Sequence, residues 1–270
     1  MTDAALRAEL VAYSHALHER GWVANHDGNV TARLAGDRFL ATPTATSKAR
    51  VSAESLLVVD RSGAKISGGG KPFSELGLHL AVYAARRDAR AVIHAHPPHA
   101  TGFSVAGRAL DAPFIAEAVV SLGAGVPTVP FAAPGPGAAA ALAPFLTDHD
   151  AVLLANHGVL AWGADPEQAF LRVELVEHLA RIALVAHQLG GLRPLPAGVL
   201  PALAEARAKA GLGPRGRGVP ADPRPQVIAC APAPSDAPVV VRDDKRAGDA
   251  RGALSAIIRE EIARALRGDA

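Results

Sequence analysis

A short apolar run that ends in closely spaced histidines constrains this chain more than any other segment. Residues 91–93 are Ala-Val-Ile, and they lead into His94–Ala95–His96, which two prolines follow. Alternation along a β-strand sends side chains two residues apart to the same face of a sheet. The segment therefore predicts a buried strand over residues 91–96 whose end presents His94 and His96 side by side, where they can share a metal ion.

Two further residues have the chemistry to complete such a site. Glu75 follows Ser74 at the predicted start of a helix, and His157 lies in the turn sequence Asn156–His157–Gly158. Three histidines and a carboxylate suit zinc or a similar divalent ion. A His-x-His pair alone would fit a packing role equally well, and Glu75 alone would fit an acid favoured by a helix dipole. The complete set favours a metal site.

Composition limits the alternatives. The chain has 270 residues, of which 49% are hydrophobic, so it can form one sizeable domain with an appendage. Its net charge is only +2, and it contains no basic run with interleaved aromatic residues, which argues against nucleic-acid binding. Its apolar segments are too short or too interrupted to span a bilayer. The start of the chain lacks the pattern of a secretion signal, and the single cysteine, Cys230, cannot form an internal disulfide. We therefore expect a reducing, cytoplasmic location.

Hydrophobic periodicity predicts hairpins that alternate with helices. The expected hairpins join residues 30–34 to 38–42, 56–60 to 64–67, and 151–156 to 159–162; the expected helices begin near Leu6, at the cap residue Ser74 and at Pro166. Hairpins flanked by helices favour an α/β sandwich whose central sheet is mainly antiparallel.

The composition changes in the last quarter of the chain. We predict a main domain over residues 1–212, a proline- and glycine-rich linker over residues 213–248, and an amphipathic helix over residues 249–270. The helix has one apolar stripe, formed by Leu254, Ile257, Ile258, Ile262, Ala265 and Leu266. A helix this short gains stability by burying that stripe, either on its own domain or on a partner.

Five motifs, taken in order, resemble the class II aldolase/adducin family, and its L-fuculose-1-phosphate aldolases in particular. The resemblance extends from about Leu6 to about Leu189. Its motifs are Gly28–Asn29–Val30–Thr31–Ala32–Arg33, Thr42–Pro43–Thr44, Ser74–Glu75, His94–Ala95–His96 with His99 and Thr101, and Asn156–His157–Gly158. The family implies a three-layer α/β/α sandwich with a mainly antiparallel central sheet.

The resemblance also implies residue roles. His94, His96 and His157 would bind one Zn²⁺, and Glu75 would act as acid and base beside it. The substrate phosphate would be bound by Gly28, Asn29, Thr44 and Ser74. The implied reaction cleaves L-fuculose 1-phosphate, or a similar ketose 1-phosphate, to dihydroxyacetone phosphate and L-lactaldehyde. Family aldolases form fourfold rings, so we expect a homotetramer with active sites at the subunit interfaces.

The sequence departs from the aldolase pattern at four positions. Phe73 replaces a phosphate-binding serine, and Ala45 replaces the glycine after Thr44. Ala116 and Ala210 fall roughly where bacterial aldolases have tyrosines that assist at the aldehyde end. These changes bear on phosphate affinity, aldehyde stereochemistry and rate.

Two other functions therefore stay open. One is a sister epimerase, dehydratase or decarboxylase on the same fold, although Glu75 disfavours the epimerase, whose family members carry Asp there. The other is a non-catalytic, adducin-like binding protein, which we would not expect to keep the complete ligand set.

The layout of the C-terminal segment resembles the encapsulation peptides of bacterial microcompartment cargo enzymes. The resemblance implies that residues 249–266 bind microcompartment shell proteins, which would place the enzyme inside such a compartment. Lactaldehyde is toxic, so enclosure of an enzyme that forms it has a chemical reason. Binding to a membrane surface is a weaker alternative, because the polar face of the helix mixes acids with bases.

Overall fold

Eight β-strands form one sheet in the computed structural model, which describes residues 2–133 and 135–213. The strands are β1 (Asn29–Arg33), β2 (Arg38–Ala41), β3 (Leu57–Asp60), β4 (Lys65–Ser67), β5 (Ala91–Ala95), β6 (Thr128–Val129), β7 (Ala151–Leu154) and β8 (Gly158–Gly163). Their order across the sheet is β4-β3-β2-β1-β5-β8-β7-β6. Every pair of neighbours is antiparallel except β6 and β7, so the prediction of a mainly antiparallel sheet is confirmed.

Helices cover both faces of the sheet. They are α1 (Asp3–Glu19), α2 (Leu76–Ala85), α3 (Pro98–Val105), α4 (Ala116–Leu122), α5 (Pro136–Leu142), α6 (Pro166–Gln188) and α7 (Leu200–Lys209). One hydrophobic core lies between the sheet and helices α1, α3, α4 and α6. A second core lies on the opposite face, under α2 and α5. The predicted three-layer α/β/α sandwich is therefore confirmed.

Strand β5 lies at the centre of this arrangement, and all five of its residues are buried. Ala91, Ile93 and Ala95 point into the core under α6, whereas Val92 points into the core under α2. This alternation puts His94 on the same face as Val92, toward α2. His94 is thus directed toward α2, the helix that follows Glu75.

The predicted hairpins are present, with ends shifted by one or two residues. Strands β1 and β2 pair through Arg33 and Phe39, and β7 and β8 pair through Leu154 and Gly158. The prediction that Ser74 caps the next helix is wrong. Helix α2 begins at Leu76, its N-cap residue is Glu75, and no side chain caps it. The Glu75 carboxylate is turned away to bind Asn29 and His157 instead.

The predicted linker and C-terminal helix lie outside the described residues, so the domain boundaries there stay predictions. In the part of the chain that the structure describes, no helix is both long enough and apolar enough to cross a membrane.

Candidate metal centre

Three histidines from strand β5 and the neighbouring β7–β8 hairpin meet at one end of the sheet. His94 lies in β5 and pairs with Leu160 of β8, His96 follows β5 directly, and His157 lies in the tight loop between β7 and β8. One ring nitrogen from each of the three lies within 4.8 Å of the others. The distance between His94 Nε2 and His96 Nε2 is 3.0 Å. The structure therefore brings together the three residues that the sequence singled out, in a group that could hold a metal ion.

The hydrogen bonds of His94 favour metal binding. Its Nδ1 lies 2.9 Å from the carbonyl oxygen of Val159, which can only accept a hydrogen bond, so Nδ1 carries the proton and Nε2 presents a lone pair. Asp27 Oδ2 lies 3.5 Å from His96 Nδ1 and favours the same tautomer there. Two lone pairs that face each other at this distance repel unless a cation lies between them. Tetrahedral zinc holds its nitrogen ligands about 3.3 Å apart, so the donor set fits such an ion.

Glycines allow the loops to approach this closely. A Cβ atom on Gly158 would lie 2.5 Å from the carbonyl oxygen of Ala95 and 2.6 Å from His96 Cδ2. Gly28 has a φ of +68°, and a Cβ atom there would lie 2.5 Å from Val23 Cγ1. A side chain at either position would push a loop away from the histidines.

Glu75 completes the site from the α2 side. Its Oε1 lies 2.9 Å from His157 Nε2, its Oε2 lies 3.5 Å from His94 Nε2, and Asn29 Nδ2 donates to Oε2 at 2.8 Å. Burial would raise the pKa of Glu75, but the hydrogen bond from His157, attraction to His94 when that residue is protonated in acid, and the Asn29 amide together hold that pKa below its usual value. Glu75 is therefore an ionised carboxylate, held where it can meet a metal ion or exchange a proton.

Burial also sets the charge state of the histidines. It lowers the pKa of His94 to about 4, and it lowers the pKa of His96. The hydrogen bond to Glu75 instead raises the pKa of His157. At neutral pH, His94 and His96 are uncharged imidazoles, which is the form that binds metals.

The four residues predicted to bind phosphate lie around the same end of the sheet. Gly28 and Asn29 lead into β1, and Asn29 pairs with His94 across the β1–β5 ladder. Ser74 is exposed next to Glu75. Thr44 is also exposed, and its N–H donates to the carbonyl oxygen of Lys71, three residues before Ser74. The structure groups these residues, and their role in phosphate binding stays a prediction.

Several polar residues around the site escaped the sequence analysis. Asp27 faces His96, and Lys48 is buried close to Asp27. Glu177 of α6 accepts a hydrogen bond from His99 Nδ1 at 2.6 Å and holds the start of α3. His79 is fully buried, and its Nδ1 lies 2.8 Å from Thr31 Oγ1. None of the four belongs to a recognisable local motif, so the sequence offered no signal for them.

Ala210, one of the two positions where aldolases have tyrosines, does not lie at the histidine end in this subunit. It lines a polar cavity of about 390 Å³ together with Arg90 and Gly163. Gly163 is the last residue of β8 and lies five positions after Gly158, which is beside His157; this is roughly 16 Å along a strand. Ala116 begins α4, which packs against α7. The role that aldolases give to a tyrosine at this position would therefore have to be taken by another residue.

The chain is similar in sequence to a known family and to enzymes that act on phosphorylated sugar derivatives. Residues 8–184 match the family described as class II aldolase and adducin N-terminal domain. The chain is 34% identical over 188 residues to a 3-oxo-tetronate 4-phosphate decarboxylase of Haemophilus influenzae, a match that covers 67% of this chain and 88% of that protein. It is 29% identical over 177 residues to an L-fuculose phosphate aldolase of Methanococcus maripaludis, with 65% and 94% covered.

Two solved structures have a fold similar to that of this chain. The structure of YgbL from Klebsiella pneumoniae, assigned as an aldolase, epimerase or decarboxylase, is similar with a TM-score of 0.70 and 32% identity, covering 75% of this chain and 99% of that one. An L-fuculose 1-phosphate aldolase is similar with a TM-score of 0.70 and 28% identity, covering 76% and 97%.

Proposed function

This chain belongs to the family of class II aldolase and adducin N-terminal domains, and we propose on that premise that it is a metal-dependent carbon–carbon lyase for a phosphorylated sugar derivative. The observation that carries the proposal is the convergence of His94, His96 and His157 on Glu75. A non-catalytic, adducin-like protein would have no need to keep all four.

We assign one Zn²⁺ to the three histidines. A Zn²⁺ ion on these imidazoles would supply a Lewis acid that polarises a substrate ketone and stabilises the enediolate left when the neighbouring C–C bond breaks. Glu75 moves the proton. Its carboxylate is ionised and lies between Asn29 and His157, so it can accept a proton from a substrate hydroxyl and return it to carbon.

The proposed substrate has a phosphomethyl ketone next to a hydroxylated carbon. Both substrate classes named for the relatives share this unit. In 3-oxo-tetronate 4-phosphate, loss of the carboxylate as CO₂ leaves the enediolate of dihydroxyacetone phosphate, and a proton from water, passed to carbon through Glu75, completes the reaction. In L-fuculose 1-phosphate, cleavage releases L-lactaldehyde and leaves the same enediolate. The two reactions share this enediolate and differ in the departing group and in the source of the proton, which is water in decarboxylation and the departing hydroxyl group in aldol cleavage.

We favour decarboxylation and keep aldol cleavage as the second candidate. Aldol cleavage requires a base for the hydroxyl group of the departing aldehyde, and alanines stand at the positions where aldolases have assisting tyrosines. Decarboxylation needs no group there. The 34% identity to the H. influenzae decarboxylase supports this choice, and the M. maripaludis relative supports the alternative.

The test is a product assay on the zinc-loaded protein. Dihydroxyacetone phosphate is measured with each of the two substrates, and CO₂ or lactaldehyde is measured in parallel. We expect dihydroxyacetone phosphate and CO₂ from 3-oxo-tetronate 4-phosphate. Product from L-fuculose 1-phosphate alone would select the aldolase, and no dihydroxyacetone phosphate from either would contradict a lyase of this class.

A His96→Ala variant tests the metal assignment in the same assay. We expect it to lose both zinc and activity, because His96 Nε2 is one of the converging donors. Unchanged zinc content in this variant would contradict the ligand set.

The predicted association of residues 249–266 with microcompartment shell proteins concerns a segment outside the described residues, and it stays a prediction. Fusing residues 249–270 to a fluorescent protein and co-expressing it with a shell tests it directly. A diffuse signal, together with a loss of thermal stability in Ile258→Glu and Ile262→Glu variants of the whole chain, would instead assign the segment to the enzyme's own fold.

A further inference from the structure

Lys48 is a buried lysine that the proposed chemistry does not use. It begins a 3₁₀ turn, Lys48–Arg50, and is only 1% exposed. Its Nζ donates to the carbonyl oxygen of Thr46 at 2.8 Å and to that of His26 at 3.4 Å. One ammonium group therefore joins two loops that are 20 residues apart in the sequence.

The charge of Lys48 is costly where it lies. Within the described residues, no carboxylate forms an ion pair with Nζ, and both of its hydrogen bonds go to neutral carbonyls. Burial lowers the pKa of Lys48 to about 8, although attraction to Asp27 opposes the shift. The helix packed against this turn, α1, contributes His15 and Arg7, which bond the carbonyls of Val51 and Ala53. A buried ammonium without a partner of opposite charge destabilises the fold, so its presence calls for a function.

The two loops that Lys48 joins both reach the candidate site. The first loop runs through Asp27, which faces His96, to Gly28 and Asn29. The second loop runs from Thr44 to Ser47, and Thr44 bonds the segment that leads to Ser74. Each loop contains a non-glycine residue in the left-handed region, Asn25 with φ +50° and Ala45 with φ +54°. Such conformations persist only where surrounding contacts hold them.

The direction of the Thr46 carbonyl matters for anion binding. A planar trans peptide points its C=O and the following N–H in opposite directions. Since the carbonyl of Thr46 points at Lys48, the N–H of Ser47 points away from it, and among the described residues no backbone acceptor bonds that N–H. Lys48 thus lies on the carbonyl side of the Thr46–Ser47 peptide, and the N–H on the other side of that peptide is a donor that suits an anion.

We propose that Lys48 is a positioning residue and the buried counter-charge for the phosphate group of the substrate. It fixes the loops of residues 25–29 and 44–47 relative to each other, and it provides positive charge beneath them. The inference rests on the proposed function, since it assumes a phosphorylated substrate. A phosphate held over the loops would favour the charged form of Lys48, and by reciprocity that charge would strengthen phosphate binding.

The experiment compares the zinc-loaded wild-type protein with Lys48→Met, which keeps an unbranched apolar side chain and removes the charged group at its end. The affinity for inorganic phosphate is measured by calorimetry, together with kcat and KM for the phosphorylated substrate, Tm, and the visible spectrum of the cobalt-substituted protein. We expect phosphate affinity to fall at least about fivefold, the order expected for a screened charge interaction, and KM to rise in parallel. We also expect kcat and the cobalt spectrum to stay within twofold, and Tm to rise because the buried charge is gone.

Lys65→Met is the matched control, because Lys65 also donates to a loop carbonyl, that of Gly70, but is exposed. It should leave phosphate affinity unchanged. If Lys48→Met fails to fold, Lys48→Gln keeps a hydrogen-bond donor without the charge and should show the same loss. Phosphate affinity within twofold of wild type would overturn the proposal, as would an altered cobalt spectrum with kcat and KM affected together. A wild-type protein that binds phosphate through Lys48 but cleaves neither substrate would contradict the proposed function alone.

Discussion

Replacing Glu75 should abolish turnover while leaving the metal bound. The Glu75→Gln variant keeps the shape of the side chain and cannot accept a proton. Because the three imidazoles remain, we expect the zinc content to be largely retained, while kcat falls by about 10²–10⁴-fold, the usual contribution of a general acid–base. Metal analysis and the product assay on the same preparation measure both effects. Cleavage at a near-normal rate would exclude Glu75 as the acid and base.

Ala45 stores backbone strain at the position where family aldolases have glycine. Its φ of +54° lies in the left-handed region, which costs a non-glycine residue about 1–2 kcal/mol. Glycine removes this cost but loses about 0.4–1 kcal/mol through the unfolded chain. We therefore predict that Ala45→Gly raises the free energy of unfolding by about 0.5–1 kcal/mol in urea titrations. The control is Ala49→Gly in the nearby 3₁₀ turn, which should lower it. Destabilisation by Ala45→Gly would show that the strain is absent.

Asp150, the residue that precedes β7, is the centre of a buried cluster of charges that connects three helices to the sheet. Asp150 is fully buried and pairs with Arg86 at 2.7 Å, with Arg172 of α6 at 3.0 Å and with Arg207 of α7. Removing its charge would leave three guanidinium groups with only Asp88 to balance them. We predict that Asp150→Asn lowers the free energy of unfolding by about 3–5 kcal/mol, the usual cost of breaking a buried pair.

An exposed pair on α7 provides the control for Asp150. Glu205 and Lys209 form an ion pair in which both side chains are exposed. Glu205→Gln should change the free energy of unfolding by less than about 1 kcal/mol. Equal losses in the Asp150 and Glu205 variants would mean that the buried cluster contributes no more than a surface pair.

Burial of Lys48 in its 3₁₀ turn should make the free energy of unfolding depend on pH. Below pH 8 Lys48 is charged in both the folded and the unfolded protein, so the full burial penalty applies. Above pH 8 the folded protein releases this proton first, and the unfolded chain holds it until about pH 10.5, its ordinary value. Because the unfolded state then binds more protons, the free energy of unfolding rises with pH in this window, by at most about 1.4 kcal/mol per pH unit.

The Lys48→Met variant isolates this contribution from that of other groups. Urea titrations at pH 7 and pH 9.5 should show the stability of the wild-type protein approaching that of the variant as the pH rises. A constant difference between the two proteins would mean that Lys48 does not titrate in this range.

At the scale of the whole molecule, we predict a homotetramer. Phe131 is 71% exposed, and aromatic residues are enriched at protein interfaces relative to the rest of the surface, so it is our candidate interface residue. We expect light scattering to give four times the mass of one chain, and Phe131→Glu to shift the mass downward. Gln188→Glu serves as the control, since Gln188 is exposed and polar and the substitution also adds a negative charge. A fully active monomer would contradict the prediction.

The sequence by itself determined the main hairpins and the long helices, and it singled out the candidate metal donors. Hairpins, helix α6 and the shared face of His94 and His96 depend on contacts between residues close in sequence, so their periodicity is sufficient to predict them. Family motifs then identified Glu75 and His157, because their chemistry is tied to recognisable local patterns.

Only the tertiary structure decided what surrounds those donors. Strand β5 lies between β1 and β8, and this non-local pairing brings Asn29 and the loop with His157 to His94. Packing of α7 places Ala210 at the far end of β8, where sequence position gave no warning. Tertiary contacts also bury Lys48 beside two loops and turn the Glu75 carboxylate from helix capping to the histidines. These outcomes depend on register and packing between distant segments, which no local pattern in the sequence encodes.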